Sequence, residues 1–258
     1  MPFRNGLRHL RGGLLCLALA GALPLAVAAH PLSIPHLALP QGTGRTPQVA
    51  LTLDACSGAT DTRILRVLID NQVKATIFAT ARWLKRNPAA LAEINRHPDL
   101  FRVENHGARH LAAVLTPGRV YGVRTVGSAQ GLKSEIEDGA AAVTAATGRA
   151  PHWFRGATAE YSSDALREIA ALGEAVAGFS LLGDGGAQFS AAHAAAAISS
   201  AHDGDVIIAH INQPGKPAGA GVATGVLALK AKGFRFVWLD DGKPLDRSPQ
   251  IAARPARR

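Results

Sequence analysis

The chain has 258 residues, 47% hydrophobic and 18% charged, which suits one well-buried domain. Its formal net charge of +9 is concentrated at the two ends: residues 1–28 contribute +3 and residues 243–258 contribute +4. The remaining residues carry only +2, so composition argues against a phosphate-binding surface and against a nucleic-acid partner.

The amino-terminal residues have the order of an export signal. Three arginines precede an apolar run over residues 14–25, and small residues follow it up to Ala29. This order predicts a signal peptide over residues 1–28. The run is shorter than the roughly 20 residues of a spanning helix, so we expect no integral membrane segment after cleavage. A periplasmic or secreted protein follows from this prediction.

The sequence contains two cysteines. Cys16 would leave with the signal peptide, so the mature chain would keep only Cys56. A single cysteine excludes an internal disulfide, although disulfides are common in exported proteins.

Between residues 45 and 242, short β-rich segments alternate with longer helix-like segments. The predicted strands are residues 49–53, 76–79, 101–104, 206–209 and 234–239. The predicted helices are residues 60–70, 88–97, 128–147, 163–172, 191–202 and 222–232. The alternation favours a single domain, residues 45–242, with a largely parallel sheet and helices packed outside it. Residues 243–258 are predicted to form a basic, disordered tail.

Polar residues follow several of these strands directly. Asp54 and His210 come immediately after predicted strands, His106 follows the strand at residues 101–104 by one residue, and Arg155 follows the short β-rich segment Trp153-Phe154. Because the carboxyl ends of parallel strands meet at one edge of the sheet, we expect these four residues to share one site.

His106 and His110 form a His-x-x-x-His pair. Two neutral imidazoles at this spacing can bind one cation, either across a helical turn or from a loop that follows a strand. A pair of surface or hydrogen-bonded histidines has the same spacing, so the pair gains its meaning from the neighbouring segments.

Together these segments resemble the motifs of the NodB-type polysaccharide deacetylases, in order as well as content. The matching segments are Thr52-Leu-Asp54, Asn105-His106 to His110, Phe154-Arg155 and Ile207-Ile-Ala-His210, with Phe179 to Gly186, including Asp184, as an echo of a further motif. The resemblance covers roughly residues 45–242. It implies an α/β fold, a distorted and partly open (β/α) barrel.

The resemblance also implies roles for the matching residues. Asp54 would be the general base, Arg155 its ion-pair partner, and His210 the general acid. His106 and His110 would hold a divalent metal, zinc or a similar ion. Backbone amides near residues 157–161 would add stabilisation of an oxyanion.

The first motif departs from the family pattern. The family has a second aspartate, a metal ligand, where this chain has Ala55. We therefore expect the metal to be weakly held, unless Cys56, Asp184 or Asp54 supplies a third ligand. Cys56 could instead be a small buried hydrophobic residue, and Asp184, between glycines, could be a turn residue.

The leading functional hypothesis is an exported hydrolase that removes acetyl groups from an acetylated glycan, N-acetylated in the first instance, by metal-assisted hydrolysis. Two alternatives remain open at this point. One is a metal-independent amide hydrolase of the allantoinase-like branch, and the other is a glycan-binding module without catalysis. The retained base and acid argue against the binding module, which would need neither.

Overall fold

The computed structural model of the protein describes Met1 and residues 31–41, 46–239 and 250–252, with the backbone alone for the last three. Apart from Met1, the predicted signal peptide lies outside these described residues, as do both predicted domain boundaries and most of the predicted tail. The structure therefore concerns the body of the chain.

The described residues form seven helices and twelve short or medium strands in alternation. The helices are α1 (Thr62–Asp70), α2 (Ala81–Arg86), α3 (Pro88–Arg96), α4 (Ala129–Thr147), α5 (Ser163–Ala171), α6 (Ala191–Ser199) and α7 (Ala218–Ala231). The strands are β1 (Ile34–His36), β2 (Gln48–Ala55), β3 (Ala75–Ala79), β4 (Phe101–Asn105), β5 (Arg119–Val120), β6 (Val123–Arg124), β7 (Trp153–Phe154), β8 (Ala175–Val176), β9 (Leu181–Leu182), β10 (Val206–His210), β11 (Arg235–Val237) and β12 (Gln250–Ala252).

Eight strands form one sheet in the order β8-β7-β4-β3-β2-β10-β9, and β11 pairs with the first residues of β2. Every pairing within this sheet is parallel. The connections run through helices, as parallel pairing requires. The fold is thus the parallel, curled (β/α) half-barrel that the sequence predicts, and all strand carboxyl ends lie at one edge.

The two faces of the sheet are both buried but have different neighbours. Leu51, Leu53 and Ala55 of β2 belong to the largest apolar cluster, which includes residues of α1, α3 and α7. Ala50 belongs to a second cluster, on the inner face, with Trp153 and with Leu37 and Leu39. Because successive strand residues point to opposite faces, Thr52 and Asp54 share the inner face with Ala50.

The prediction of strands and helices is confirmed for the long elements and differs at short ones. The last sheet strand is shorter than expected, residues 235–237, so Trp238 lies just beyond it. There its indole donates to the Leu100 carbonyl and contacts two cationic side chains. Within the segment predicted to be disordered, Gln250–Ala252 pairs antiparallel with β1.

One glycine of α4 brings this helix against the loop that follows β4. A side chain at Gly139 would overlap the Asn105 side chain and the Gly107 backbone. The Ala-rich and Gly-containing stretch, residues 139–146, therefore serves close packing, as its composition predicts. This contact fixes the chain on both sides of His106.

No helix among the described residues is both long enough and apolar enough to cross a lipid bilayer.

Candidate active site

The residues predicted to share one site meet at the carboxyl edge of the sheet. Asp54 is the penultimate residue of β2, and its partner in the strand register is His210, the last residue of β10. Register partners on parallel strands point to the same face, so both side chains face inward. His106 and Arg155 are the first residues after β4 and β7, which also pair with each other.

Arg155 is fully buried, and its guanidinium binds Asp54. Its Nη1 donates to Asp54 Oδ1 at 2.9 Å and to Thr52 Oγ1 at 2.9 Å. Its Nε and Nη2 donate to the carbonyls of Ala177 and Gly178 at 3.2 and 3.0 Å. A buried cation this well partnered holds the Asp54 carboxylate in one orientation.

The charge on Arg155 also decides the ionisation of Asp54, which is 4% exposed. Burial alone would raise the pKa of Asp54. The positive charge of Arg155, together with His106 and His210, outweighs burial and lowers this pKa below its ordinary value. Asp54 is therefore a carboxylate, able to accept a proton from a neighbouring group.

His210 is held by Asp184, in the loop after β9. Asp184 accepts from the His210 backbone N–H at 2.7 Å, and the His210 Nδ1 donates to the same carboxylate at 3.1 Å. Burial would lower the pKa of His210, but the hydrogen bonds to Asp184 and Cys56 raise it well above its ordinary value. His210 can therefore carry a proton on Nε2 at neutral pH.

His106 is oriented by the backbone of the Arg155 segment. Its Nδ1 donates to the Arg155 carbonyl at 2.6 Å, which directs Nε2 towards Asp54 and Cys56. Its Nε2 lies 3.9 Å from Asp54 Oδ2 and 3.6 Å from Cys56 Sγ. A carbonyl-anchored imidazole of this kind is typical of metal ligands.

His110 has an unusual backbone conformation that a buried carboxylate supports. Its φ is +61°, in the left-handed region that residues other than glycine seldom adopt. The backbone amides on either side, those of Arg109 and Leu111, both donate to Glu135 Oε1, at 2.8 and 3.0 Å. Glu135 projects from α4 and is 1% exposed. It thereby fixes the loop that presents the second imidazole.

Cys56, the first residue after β2, is 9% exposed and lies among the three imidazoles. Burial would raise the pKa of its thiol. Hydrogen bonding to His106, His110 and His210 instead lowers this pKa well below the ordinary range. Three imidazoles thus favour the charged form of this thiol against the effect of burial.

The donor set fits a divalent metal. Among the described residues, the ligand atoms of Cys56, His106 and His110 all lie within 4.8 Å of one another. Two imidazoles and a thiol are donors that zinc binds well. The structure brings these three residues together, whereas Asp184 is hydrogen-bonded to His210 and Asp54 to Arg155.

One part of the site was not evident from the sequence, and one predicted part is only partly available. Glu135 lies on the buried face of α4 among otherwise apolar residues. The signal in the sequence is a glutamate at a position where the helical spacing of apolar residues predicts burial. The amides proposed to stabilise an oxyanion are partly engaged, since those of Ala159 and Tyr161 donate to the carbonyls of Gly156 and Ser33. Those two amides are unavailable to a substrate.

Residues 41–177, more than half of the chain, match the model of the family described as polysaccharide deacetylase. The chain belongs to this family. Among curated protein sequences none matches the chain.

Solved structures with the same fold include enzymes and a pseudoenzyme, all at low identity. A family 4 carbohydrate esterase from Streptomyces lividans, in complex with acetate, is 20% identical with a TM-score of 0.60, over 80% of this chain and 97% of that one. A carbohydrate esterase domain of a xylanase from the hindgut metagenome of Trinervitermes trinervoides is 21% identical with a TM-score of 0.63, over 76% and 89%. A family 4 pseudoenzyme from Bacillus anthracis is 19% identical with a TM-score of 0.59, over 74% and 63%. At these identities the likeness shows the shared fold.

Glu174 supports Asn105, the residue before His106, and gives a testable pH dependence. Burial, and next the charge of Glu104, raise the pKa of Glu174 to about 7 despite the hydrogen bond from Asn105 Nδ2. The folded protein thus holds a proton that the unfolded chain releases near the ordinary carboxyl pKa. The stability that this proton contributes is complete at pH 4 and is lost as the pH rises through 7.

The free energy of unfolding of the wild type should fall between pH 5 and pH 8, and we predict that this fall is about 2 kcal/mol smaller in Glu174→Gln. One pKa unit corresponds to about 1.4 kcal/mol, and partial exposure of the group reduces the effect. Urea unfolding at both pH values measures this. Glu168→Gln on α5 is the control. Equal pH dependence in wild type and Glu174→Gln would contradict the prediction.

Proposed function

We propose that this protein is an exported carbohydrate deacetylase that hydrolyses N-acetyl groups of a polysaccharide with the help of a divalent metal. The observation that carries the proposal is the pairing of Asp54 with His210 on adjacent strands, with the imidazoles of His106 and His110 grouped beside them. Their pKa values are shifted in opposite directions, the arrangement expected of a base and an acid.

Asp54 would act as the general base. Arg155 keeps its carboxylate ionised and leaves Oδ2, the oxygen nearer His106, to accept the proton of an attacking water. Such a positioned base contributes about 10²- to 10⁴-fold to rate. The water oxygen then bonds to the carbonyl carbon of the acetyl group.

His210 would act as the general acid. As the carbon–nitrogen bond breaks, the amine must gain a proton, which the Nε2 of His210 supplies while Asp184 holds Nδ1. The products are acetate and a free amine on the sugar. Asp184 also stabilises the positive charge that His210 carries before the transfer.

His106 and His110 would hold the divalent metal. When bound, such an ion polarises the acetyl carbonyl and lowers the pKa of water. The Arg155 carbonyl and Glu135 orient the two imidazoles for this task.

Export rests on the amino-terminal sequence. We propose that residues 1–28 are removed and that the mature protein lies in the periplasm or outside the cell, where glycans are accessible.

We predict that amino-terminal sequencing of the extracytoplasmic protein finds Ala29 or His30 as the first residue. Recovery of Met1 or Pro2 there would refute cleavage.

We predict that Asp54→Asn lowers the rate of acetate release by about 10²-fold or more, because the amide cannot accept the proton from water. Acetate release is measured on chitin-like oligosaccharides, peptidoglycan and exopolysaccharide. Asp99→Asn, at an exposed carboxylate, is the matched control and should retain full activity. Wild-type turnover in Asp54→Asn would remove the assignment of the base.

We predict that Asp184→Asn lowers kcat by about 10- to 10²-fold and moves the alkaline limb of the pH profile to lower pH. The carboxylate raises the pKa of His210, so without its charge the acid loses its proton at lower pH. Asp205→Asn, at a carboxylate bound to Ser180 at the opposite end of β10, is the control. An unshifted alkaline limb in Asp184→Asn would contradict the role of His210.

Acetate release and glycan binding, measured with and without metal, separate the alternatives. Acetate release that survives complete metal removal would favour a metal-independent amide hydrolase. Glycan binding without acetate release would favour a binding module. The family 4 pseudoenzyme shows that this fold also occurs in a protein described as lacking catalysis.

A further inference from the structure

The absence of a carboxylate at Ala55 leaves open which residue completes the metal site with His106 and His110. Two of the candidates are already engaged. Both carboxylate oxygens of Asp184 accept hydrogen bonds, Oδ2 from the His210 backbone N–H and Oδ1 from the His210 Nδ1 and the Gly186 backbone N–H. Asp54 binds Arg155, and its other oxygen remains 3.9 Å from His106 Nε2.

Cys56 is placed differently. Its Sγ lies 3.6 Å from His106 Nε2, and with His110 it forms a group whose ligand atoms are all within 4.8 Å. Around a tetrahedral zinc with bonds of about 2.0 to 2.3 Å, neighbouring ligand atoms lie about 3.5 Å apart. The separation of 3.6 Å is close to this value, and the remaining ligand atoms lie within 4.8 Å.

The position of Cys56 follows from strand alternation. Asp54 and Cys56 are two residues apart at the end of β2, so both face the inner side of the sheet. Ala55, between them, is fully buried in the large apolar cluster. The structure thus places a donor one residue later in the chain, where the side chain faces the imidazoles.

Packing argues against a purely apolar role for this cysteine. None of the apolar clusters formed by the described residues includes Cys56, although Ala55 is a member of one. Its backbone carbonyl accepts a hydrogen bond from the Thr80 hydroxyl, which anchors the chain at this point. The side chain therefore has a fixed position beside two potential ligands.

We propose that Cys56, His106 and His110 form a three-residue thiolate and imidazole centre for a soft divalent metal. This inference rests on the proposed function, because it names the ligand set of the same site. A thiolate favours zinc and cobalt over manganese and magnesium, which prefer oxygen ligands. The three protein ligands leave the remaining coordination positions to water or substrate.

The test uses the purified exported protein, loaded with Co²⁺ or Zn²⁺. Co²⁺ should bind one per chain and give the near-ultraviolet absorption of sulfur-to-cobalt charge transfer. Zn²⁺ should slow the alkylation of Cys56 by iodoacetamide about tenfold or more, because a metal-bound thiolate is a poorer nucleophile. Mn²⁺ should give little protection.

Cys56→Ser is the diagnostic variant, and Asp99→Asn, at an exposed carboxylate away from the site, is the control. We expect Cys56→Ser to lose the charge-transfer band and to bind zinc about 10²-fold more weakly or worse, since loss of a mere supporting residue already costs 10- to 100-fold. Circular dichroism checks its fold. If it fails to fold, the wild-type spectrum and alkylation rates decide the question.

Cobalt binding without a sulfur band, or equal alkylation with and without Zn²⁺, would overturn the proposal. Unchanged zinc affinity in folded Cys56→Ser would do the same. These measurements do not depend on turnover. If Cys56 does not bind the metal but acetate is released, this inference is refuted and the proposed function stands. If Cys56 binds the metal but no acetate is released, the function alone is refuted.

Discussion

The buried ion pair between Arg155 and Asp54 is the constraint on which the rest of the site depends. A guanidinium with no exposed surface is tolerated only when its donors are paired, and the partners of Arg155, which itself follows β7, come from β2 and from the segment that follows β8. Removing one partner of such a pair costs about 3 to 5 kcal/mol, because a buried charge is left without compensation. These strand ends must therefore keep their relative positions, and that requirement also places His106, whose Nδ1 binds the Arg155 carbonyl.

Around this pair the site separates two kinds of task. On our proposals Asp54 and His210 transfer protons, and the first group that favours the charged form of each is Arg155 for Asp54 and Asp184 for His210. On our proposals the other histidines bind the metal, and their support is neutral or structural, a backbone carbonyl for His106 and the Glu135 carboxylate for the loop of His110. Cys56 lies between the two groups, which is why its thiol interacts with all three imidazoles.

The sequence predicted the parallel sheet because β2, β3 and β10 are largely apolar segments, and β4 alternates apolar and charged residues, between helix-like segments. It also placed Asp54, His106, Arg155 and His210 at one edge, since each lies at or next to the carboxyl end of a β-rich segment. It did not reveal that Asp184 holds His210, because this contact depends on the pairing of the two-residue strand β9 with β10. Glu135 was equally hidden, since its partners are backbone amides about 25 residues away in sequence. The choice among three candidate ligands likewise required side-chain directions at the end of β2.

The pairing of Asp54 with His210 in the strand register has a consequence for how such a protein can diverge or be redesigned. The separation of the two groups is determined by adjacent backbones of the sheet, and the connecting loops have no part in it. Loop residues at this edge that do not contact the site can therefore change in length and composition while the distance between the two groups is conserved. On the proposed function, grafting such outer loop residues from other glycan-active proteins is a practical way to alter which sugars are accepted, with β2, β10 and the site residues of the loops left untouched.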